Sequence, residues 1–148
     1  MSHESIFAKL PYAKPFLFVN ELSSVTAEGA KGSFTFDKDA YFYEGHFKDY
    51  PITPGVILVE CMAQIGVVCL GIFLLENEYD LKNTNFALSS TDIDFYLPVF
   101  PGETVTVVSE KVYFRFNKLK CKVSMFNAKN NLVAKGSISG MILKEDIL

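Results

Sequence analysis

Tryptophan is absent from the 148 residues, histidine occurs twice and cysteine three times. Cys61, Cys69 and Cys121 are odd in number and lack Cys-x-x-Cys spacing, which argues against a disulfide framework or a zinc knuckle. Cys61 and Cys69 are expected on one helix about 12 Å apart, beyond disulfide reach, so reduced core thiols are expected. Charge of one sign is also lacking: 14 Lys and Arg face 17 Asp and Glu, a net −3. No basic excess points to nucleic acid or to an anionic membrane surface. The start, MSHESIFAKLPYAKPF, has no basic segment followed by an apolar run and a small-residue cleavage site, so a cytoplasmic location is expected. Internal repeats, low-complexity tracts and inter-domain linkers are missing as well.

What is present suits one domain, residues 1–148: the length is ordinary for a single core, and 49% of residues are apolar. Fourteen Phe and seven Tyr favour rings packed across a sheet. The run PFLFVNELSSVTAEGAKGSFTF, Pro15 to Phe36, reads as a hairpin of two strands broken at Glu28-Gly29. Residues 41–54, YFYEGHFKDYPITP, suit neither strand nor helix and read as an ordered loop. Gly55 to Leu75, almost wholly apolar and free of proline, reads as one buried helix. Its length nearly spans a bilayer. Glu60 and Gln64 within it, and the absence of close flanking Lys or Arg, weigh against a membrane role. After a polar link, Glu76 to Thr84, four strands are expected: Phe86 to Val99, Thr104 to Phe116, Leu119 to Asn127 and Leu132 to Leu143. The turns between them fall at Pro101-Gly102, Asn117-Lys118 and Asn130-Asn131. An antiparallel sheet curled around the long helix, an α+β arrangement, accounts for a helix with almost no polar face.

Chemistry-bearing residues converge on the loop and the first half of that helix. Gly55 falls at the helix start, where unpaired N–H groups and a positive dipole can hold an oxygen gaining negative charge. Glu60 and Gln64, four apart, share a helix face, with Val56 one turn before Glu60. A carboxyl among hydrocarbon is costly unless paired or functional, and such surroundings favour its neutral, proton-donating form. His46 can accept or return a proton near neutral pH, although a lone loop histidine is more often a structural hydrogen-bonder. Gly66 and Gly71 read as close-packing positions. His46 with Glu60 supplies at most two of the usual three ligands of a catalytic zinc, and no phosphate-binding glycine loop or dinucleotide fingerprint occurs.

The run GHFKDYPITPGVILVECMAQ closely resembles the pattern GHFPxxPxxPGVLxxExxAQ of the FabZ-type 3-hydroxyacyl-acyl-carrier-protein dehydratases, which have the hot-dog fold. LPYAKPFLFVNEL is similar to the family's LPHRYPFLLVDRV, and VFPGETV to its VxPGDxL; the likeness covers residues 10 to about 140. The resemblance implies His46 and Glu60 as the catalytic pair. It also implies substrate-binding positions at Gly55, Val56, Gln64 and Phe47, with the Gly55 N–H on the thioester carbonyl and Gln64 orienting Glu60. No metal and no bound cofactor are implied, since the phosphopantetheine arm arrives with the acyl carrier protein. A homodimer with shared active sites is implied, alone or as a hexamer of three dimers, with neither nucleic acid nor membrane as partner. Departures occur at Tyr12, where the family often has His, at Ala13 and Lys14 for Arg-Tyr, at Lys48 for Pro, and at Asp94 for a basic residue. A hot-dog thioesterase or a non-catalytic acyl-binding subunit are the rival readings. The stretch from Lys111 to Lys135 holds Lys111, Arg115, Lys118, Lys120, Lys122, Lys129 and Lys135 without an acid, as either a carrier-docking patch or a solvated strand face.

Overall fold

The computed structural model describes residues 1–76 and 84–144. Apart from its two ends, the polar link read at Glu76 to Thr84 lies outside the described residues. In chain order the elements are helix α1 (His3–Ala8), strands β1 (Glu21–Thr26) and β2 (Gly29–Thr35) and a 3-10 turn (Tyr41–Glu44). Helix α2 (Gly55–Ala63), a π turn (Gln64–Val68) and helix α3 (Cys69–Leu74) follow without a break. Strands β3 (Thr84–Phe95), β4 (Thr104–Arg115), β5 (Lys118–Phe126) and β6 (Leu132–Lys144) complete the chain.

All six strands join one antiparallel sheet in the order β1-β2-β4-β5-β6-β3. Alternation decides which face meets the helix. On β5, Leu119, Cys121, Val123 and Met125 are buried, while Lys118, Lys120, Lys122 and Ser124 take the other face. The helix Gly55–Leu74 is long and apolar enough to cross a membrane, but 78% of an 18-residue apolar window within it is buried inside this fold, so the sheet already covers the surface a bilayer would cover. Gly66 is what lets the two layers close. A Cβ there would lie 3.1 Å from Ser109 Cβ and 3.2 Å from Val123 Cγ1. The buried Ser109 hydroxyl donates to Gly66 O at 2.7 Å and accepts from Ala30 N–H at 3.1 Å. It thus ties β2, β4 and the π turn together. A hydroxyl competing for a helix carbonyl is one physical cause of such a local widening.

Three expectations need correction. The hairpin does not begin at Pro15: β1 starts at Glu21, and the turn is Ala27-Glu28. Residues 16–18 instead run across the central helix, because its side chains satisfy their backbone. Phe18 N–H donates to Gln64 Oε1 at 2.8 Å, Phe16 O accepts from Gln64 Nε2 at 3.0 Å, and Cys61 Sγ donates to Phe18 O at 3.4 Å. The turn read at Asn117-Lys118 is Phe116-Asn117, both left-handed (φ 52° and 60°), as a two-residue hairpin loop matching the sheet twist requires. Strand β3 ends at Phe95 rather than Val99, where Tyr96 and Leu97 both donate to Val133 O at 2.7 and 3.3 Å. Helix α1 had no counterpart in the sequence reading; Ser2 caps it by accepting from Ser5 N–H, and it buries Ile6.

Candidate active site

The loop read at residues 41–54 is ordered by its own backbone. His46 N–H donates to Phe42 O at 3.1 Å, Ile52 N–H to His46 O at 2.9 Å, and Thr53 N–H to Val99 O at 2.8 Å. Tyr43 and Thr53 hydroxyls bond at 2.6 Å beneath it. This frame sets the half-buried His46 ring, whose Nδ1 lies 2.9 Å from Ile52 O and whose face stacks on Phe47 at 4.2 Å. A carbonyl oxygen can only accept, so Nδ1 carries the hydrogen. In the neutral ring Nε2 is therefore the lone-pair nitrogen, the one able to take a proton.

Helix α2 begins right after Pro54, whose carbonyl accepts from Ile57 N–H at 3.0 Å and Leu58 N–H at 3.1 Å. The Gly55 and Val56 N–H groups donate to nothing among the described residues. Gly55 is packed against the end of β3: a Cβ there would lie 3.3 Å from the Phe95 ring. Val56 is 77% exposed, and Phe47, Leu88, Phe95 and Tyr96 are exposed as well.

Two turns further on, the fully buried Gln64 amide has a single orientation that satisfies its neighbours. Phe18 N–H must meet its oxygen and Phe16 O its nitrogen, so Nε2 donates its second hydrogen to Glu60 Oε2 at 2.9 Å. Glu60 Oε2 is thereby an acceptor, and when the carboxyl is neutral its proton sits on Oε1. Beside Glu60 opens a cavity of about 160 Å³ walled by hydrocarbon and aromatic groups, among them Phe16, Val67, Phe86, Phe114 and Ile138. Tyr12 also lines it, and burial first, then the charge of Glu60, push its phenol far above the ordinary value. His46 is not part of this lining. The structure thus brings Glu60, Gln64 and the cavity together and keeps His46, Phe47, Gly55 and Val56 at the loop and helix start. Tyr12, Phe86, Phe114 and the Ile52 carbonyl are additions that sequence reasoning did not single out for the site. Among the described residues no group of three or more His, Cys, Asp and Glu converges on a metal position.

A sheet wrapped over a long apolar helix, with a carboxyl held in that helix at an acyl-sized cavity, defines an enzyme of the hot-dog class. The chain belongs to the FabA-like family, whose domain model matches residues 10–138. It is 30% identical over 134 residues to the 3-hydroxyacyl-[acyl-carrier-protein] dehydratase FabZ of Clostridium perfringens, covering 90% of each chain. To the enzyme of the same name from Herpetosiphon aurantiacus it is 33% identical over 141 residues, 91% of this chain and 93% of that one. Among solved structures, the dehydratase heterocomplex ApeI:P from Xenorhabdus doucetiae matches with a TM-score of 0.79 at 12% identity, covering 95% and 92% of the two chains. The fluoroacetyl-CoA thioesterase FlK matches at 0.64 with 12% identity over 84% and 92%. Both confirm the hot-dog fold.

Proposed function

We propose that this chain is a 3-hydroxyacyl-[acyl-carrier-protein] dehydratase of fatty-acid or related lipid biosynthesis, acting in the cytoplasm, with His46 and Glu60 as the groups that move protons. The observation that carries the reading is Glu60: one oxygen is tied to Gln64 and the other is left for a substrate at the wall of an apolar cavity. The family and the FabZ relatives over nine-tenths of the chain support the same chemistry. His46 Nε2 takes the C2 proton, while the unpaired Gly55 N–H stabilises charge developing on the thioester oxygen; each kind of help is typically worth at least about a hundredfold. Glu60 gives its proton to the departing C3 hydroxyl, which leaves as water. Gln64 positions Glu60, and Phe47 and Val56 meet the substrate or its arm. These side chains carry the reaction without a metal or bound cofactor, the phosphopantetheine arm being part of the substrate.

The site is completed by a second copy of the chain. Among the described residues, His46 does not line the Glu60 cavity, while β3 is a 12-residue edge strand with Leu88 and Phe95 exposed, and Val56 is exposed at the helix start. Edge-to-edge pairing of β3 with its copy buries that edge and brings His46 of one subunit to Glu60 of the other. The test is conversion of 3-hydroxyacyl carrier protein to the enoyl product, read by mass spectrometry. Wild type forms the product without releasing free thiol, and His46→Ala and Glu60→Gln each lose most turnover while staying folded. Thiol release without enoyl product would make the protein a thioesterase instead.

A further inference from the structure

Tyr12 reaches the Glu60 cavity from the segment between α1 and the start of β1. Among the residues lining that cavity, Tyr12 and Glu60 are the two with polar side chains; the others are apolar or glycine. The Tyr12 hydroxyl has no hydrogen-bond partner among the described residues, in contrast to the Tyr43 and Ser109 hydroxyls, which are both paired. When an acyl chain displaces water from the cavity, a hydroxyl there loses its water partner unless the chain itself supplies an acceptor. Its burial keeps the phenol protonated, so what it offers is an O–H donor. A 3-hydroxyacyl group carries one oxygen beyond the thioester carbonyl, on C3. In a cavity of about 160 Å³ that oxygen has two polar side chains to meet, and one of them is Glu60.

We infer that the Tyr12 hydroxyl donates a hydrogen bond to the C3 oxygen of the substrate, a second catalytic contact beside Glu60 that steadies the leaving oxygen. The inference rests on the dehydratase reading above. Tyr12 keeps its hydrogen throughout. The C2–H bond breaks toward His46, and its electron pair becomes the C2–C3 double bond. The C3–O bond breaks with its pair on oxygen, and Glu60 supplies the proton that makes the product water. As negative charge gathers on that oxygen, the Tyr12 hydrogen bond strengthens, so the contact is worth more at the transition state than in the ground state. The same contact identifies the 3-hydroxyacyl group against a saturated acyl chain, because a saturated chain leaves the phenol unpaired in the cavity.

Tyr12→Phe removes the hydroxyl and keeps the ring. Turnover of 3-hydroxyacyl carrier protein, binding of a saturated acyl thioester mimic and thermal midpoint are measured on wild type and variant. The expected result is a loss of about tenfold or more in kcat/KM, with mimic affinity unchanged or raised because no phenol is left unpaired, and the midpoint unchanged or raised, since no bond inside the free protein is lost. Unchanged turnover overturns the inference. So does an equal loss for substrate and mimic, which makes Tyr12 a packing residue, and so does a lowered midpoint, which shows the hydroxyl holding the fold. Wild type that forms no enoyl product rejects the dehydratase reading itself, whereas active wild type beside an equally active variant rejects Tyr12 alone.

Discussion

Replacing Gln64 by Met keeps the length and flexibility of the side chain but removes its amide. Three bonds vanish together: to Phe18 N–H at 2.8 Å, Phe16 O at 3.0 Å and Glu60 Oε2 at 2.9 Å. Phe18 is 2% exposed, so its N–H stays dry and unpaired, at a cost of about 1–3 kcal/mol. Phe16 is 41% exposed, so its carbonyl can turn to water and loses nearer the net value of one bond, about 0.5–1.5 kcal/mol. The sum, about 1.5–4.5 kcal/mol, corresponds to roughly 3–18 °C in the midpoint for a domain of this size. The activity effect is separate from stability: Glu60 loses the donor that fixes which of its oxygens faces the cavity, so kcat falls even where the variant is fully folded. Urea unfolding and thermal scans at one fixed protein concentration, which removes mass-action effects of assembly, measure the first effect. Dehydration rates at a temperature well below the midpoint measure the second. A stability change under about 0.5 kcal/mol, the range of inconsequential surface substitutions, with turnover near wild type would show that the amide is neither a structural clamp nor a positioning group.

Two inactive preparations, His46→Ala and Glu60→Ala, unfolded together and refolded in equal amounts, should regain on the order of a quarter of wild-type activity. About half the dimers are then mixed, and one of the two sites in each mixed dimer carries neither lesion; mixing that demonstrably exchanges subunits yet stays inactive rejects the shared site. Charge reversal at Lys118 and Lys120, neighbours on the outer face of β5 with no ion pair among the described residues, should raise KM for carrier-bound substrate and not for a small thioester mimic. Equal effects on both substrates leave this stripe as a solvated face. Cys61, Cys69 and Cys121 are buried and free, and burial pushes Cys69 and Cys121 up to about 12. At pH 8 they hold almost no thiolate, so a thiol reagent should label none of the three in the folded protein and all three in denaturant; rapid labelling of native protein would contradict the packing.

The long helix was legible because a run of hydrocarbon of that length, interrupted by one carboxyl and one amide, fits a buried helix and little else, and Glu60 and Gln64 could be placed on one face from their spacing alone. The hairpin was only half legible. Phe16 and Phe18 read as strand residues by composition, yet their backbone groups are taken by Gln64 and Cys61, 43 to 48 positions later in the chain. No local pattern reports that competition. The π turn is hidden for the same reason, since the serine hydroxyl bonded to Gly66 O within it comes from β4, 43 positions later. Strand order hid the cavity wall as well: Phe86 and Phe114 line one cavity because β3 and β4 flank β6 and β5, an order that chain position does not reveal.

The two halves of the chemistry differ in what holds them. His46 takes its direction from a backbone carbonyl, Ile52 O, within a loop braced by main-chain bonds, so most side-chain changes in that loop leave the lone-pair nitrogen where it is. Glu60 takes its direction from a side chain, Gln64, which is itself held by the Phe16–Phe18 segment. Perturbing that segment therefore reaches the acid before it reaches the base. Tyr12 lies only four residues before Phe16, so the segment that orients Glu60 through Gln64 also carries the second polar group of the cavity. Substitutions between Tyr12 and Phe18 should accordingly change how the C3 oxygen is handled while leaving removal of the C2 proton to His46. With a deuterium label at C2, such variants should show a smaller isotope effect than wild type as C–O cleavage becomes the slower event. An isotope effect that rises instead would mean that the segment acts on the histidine.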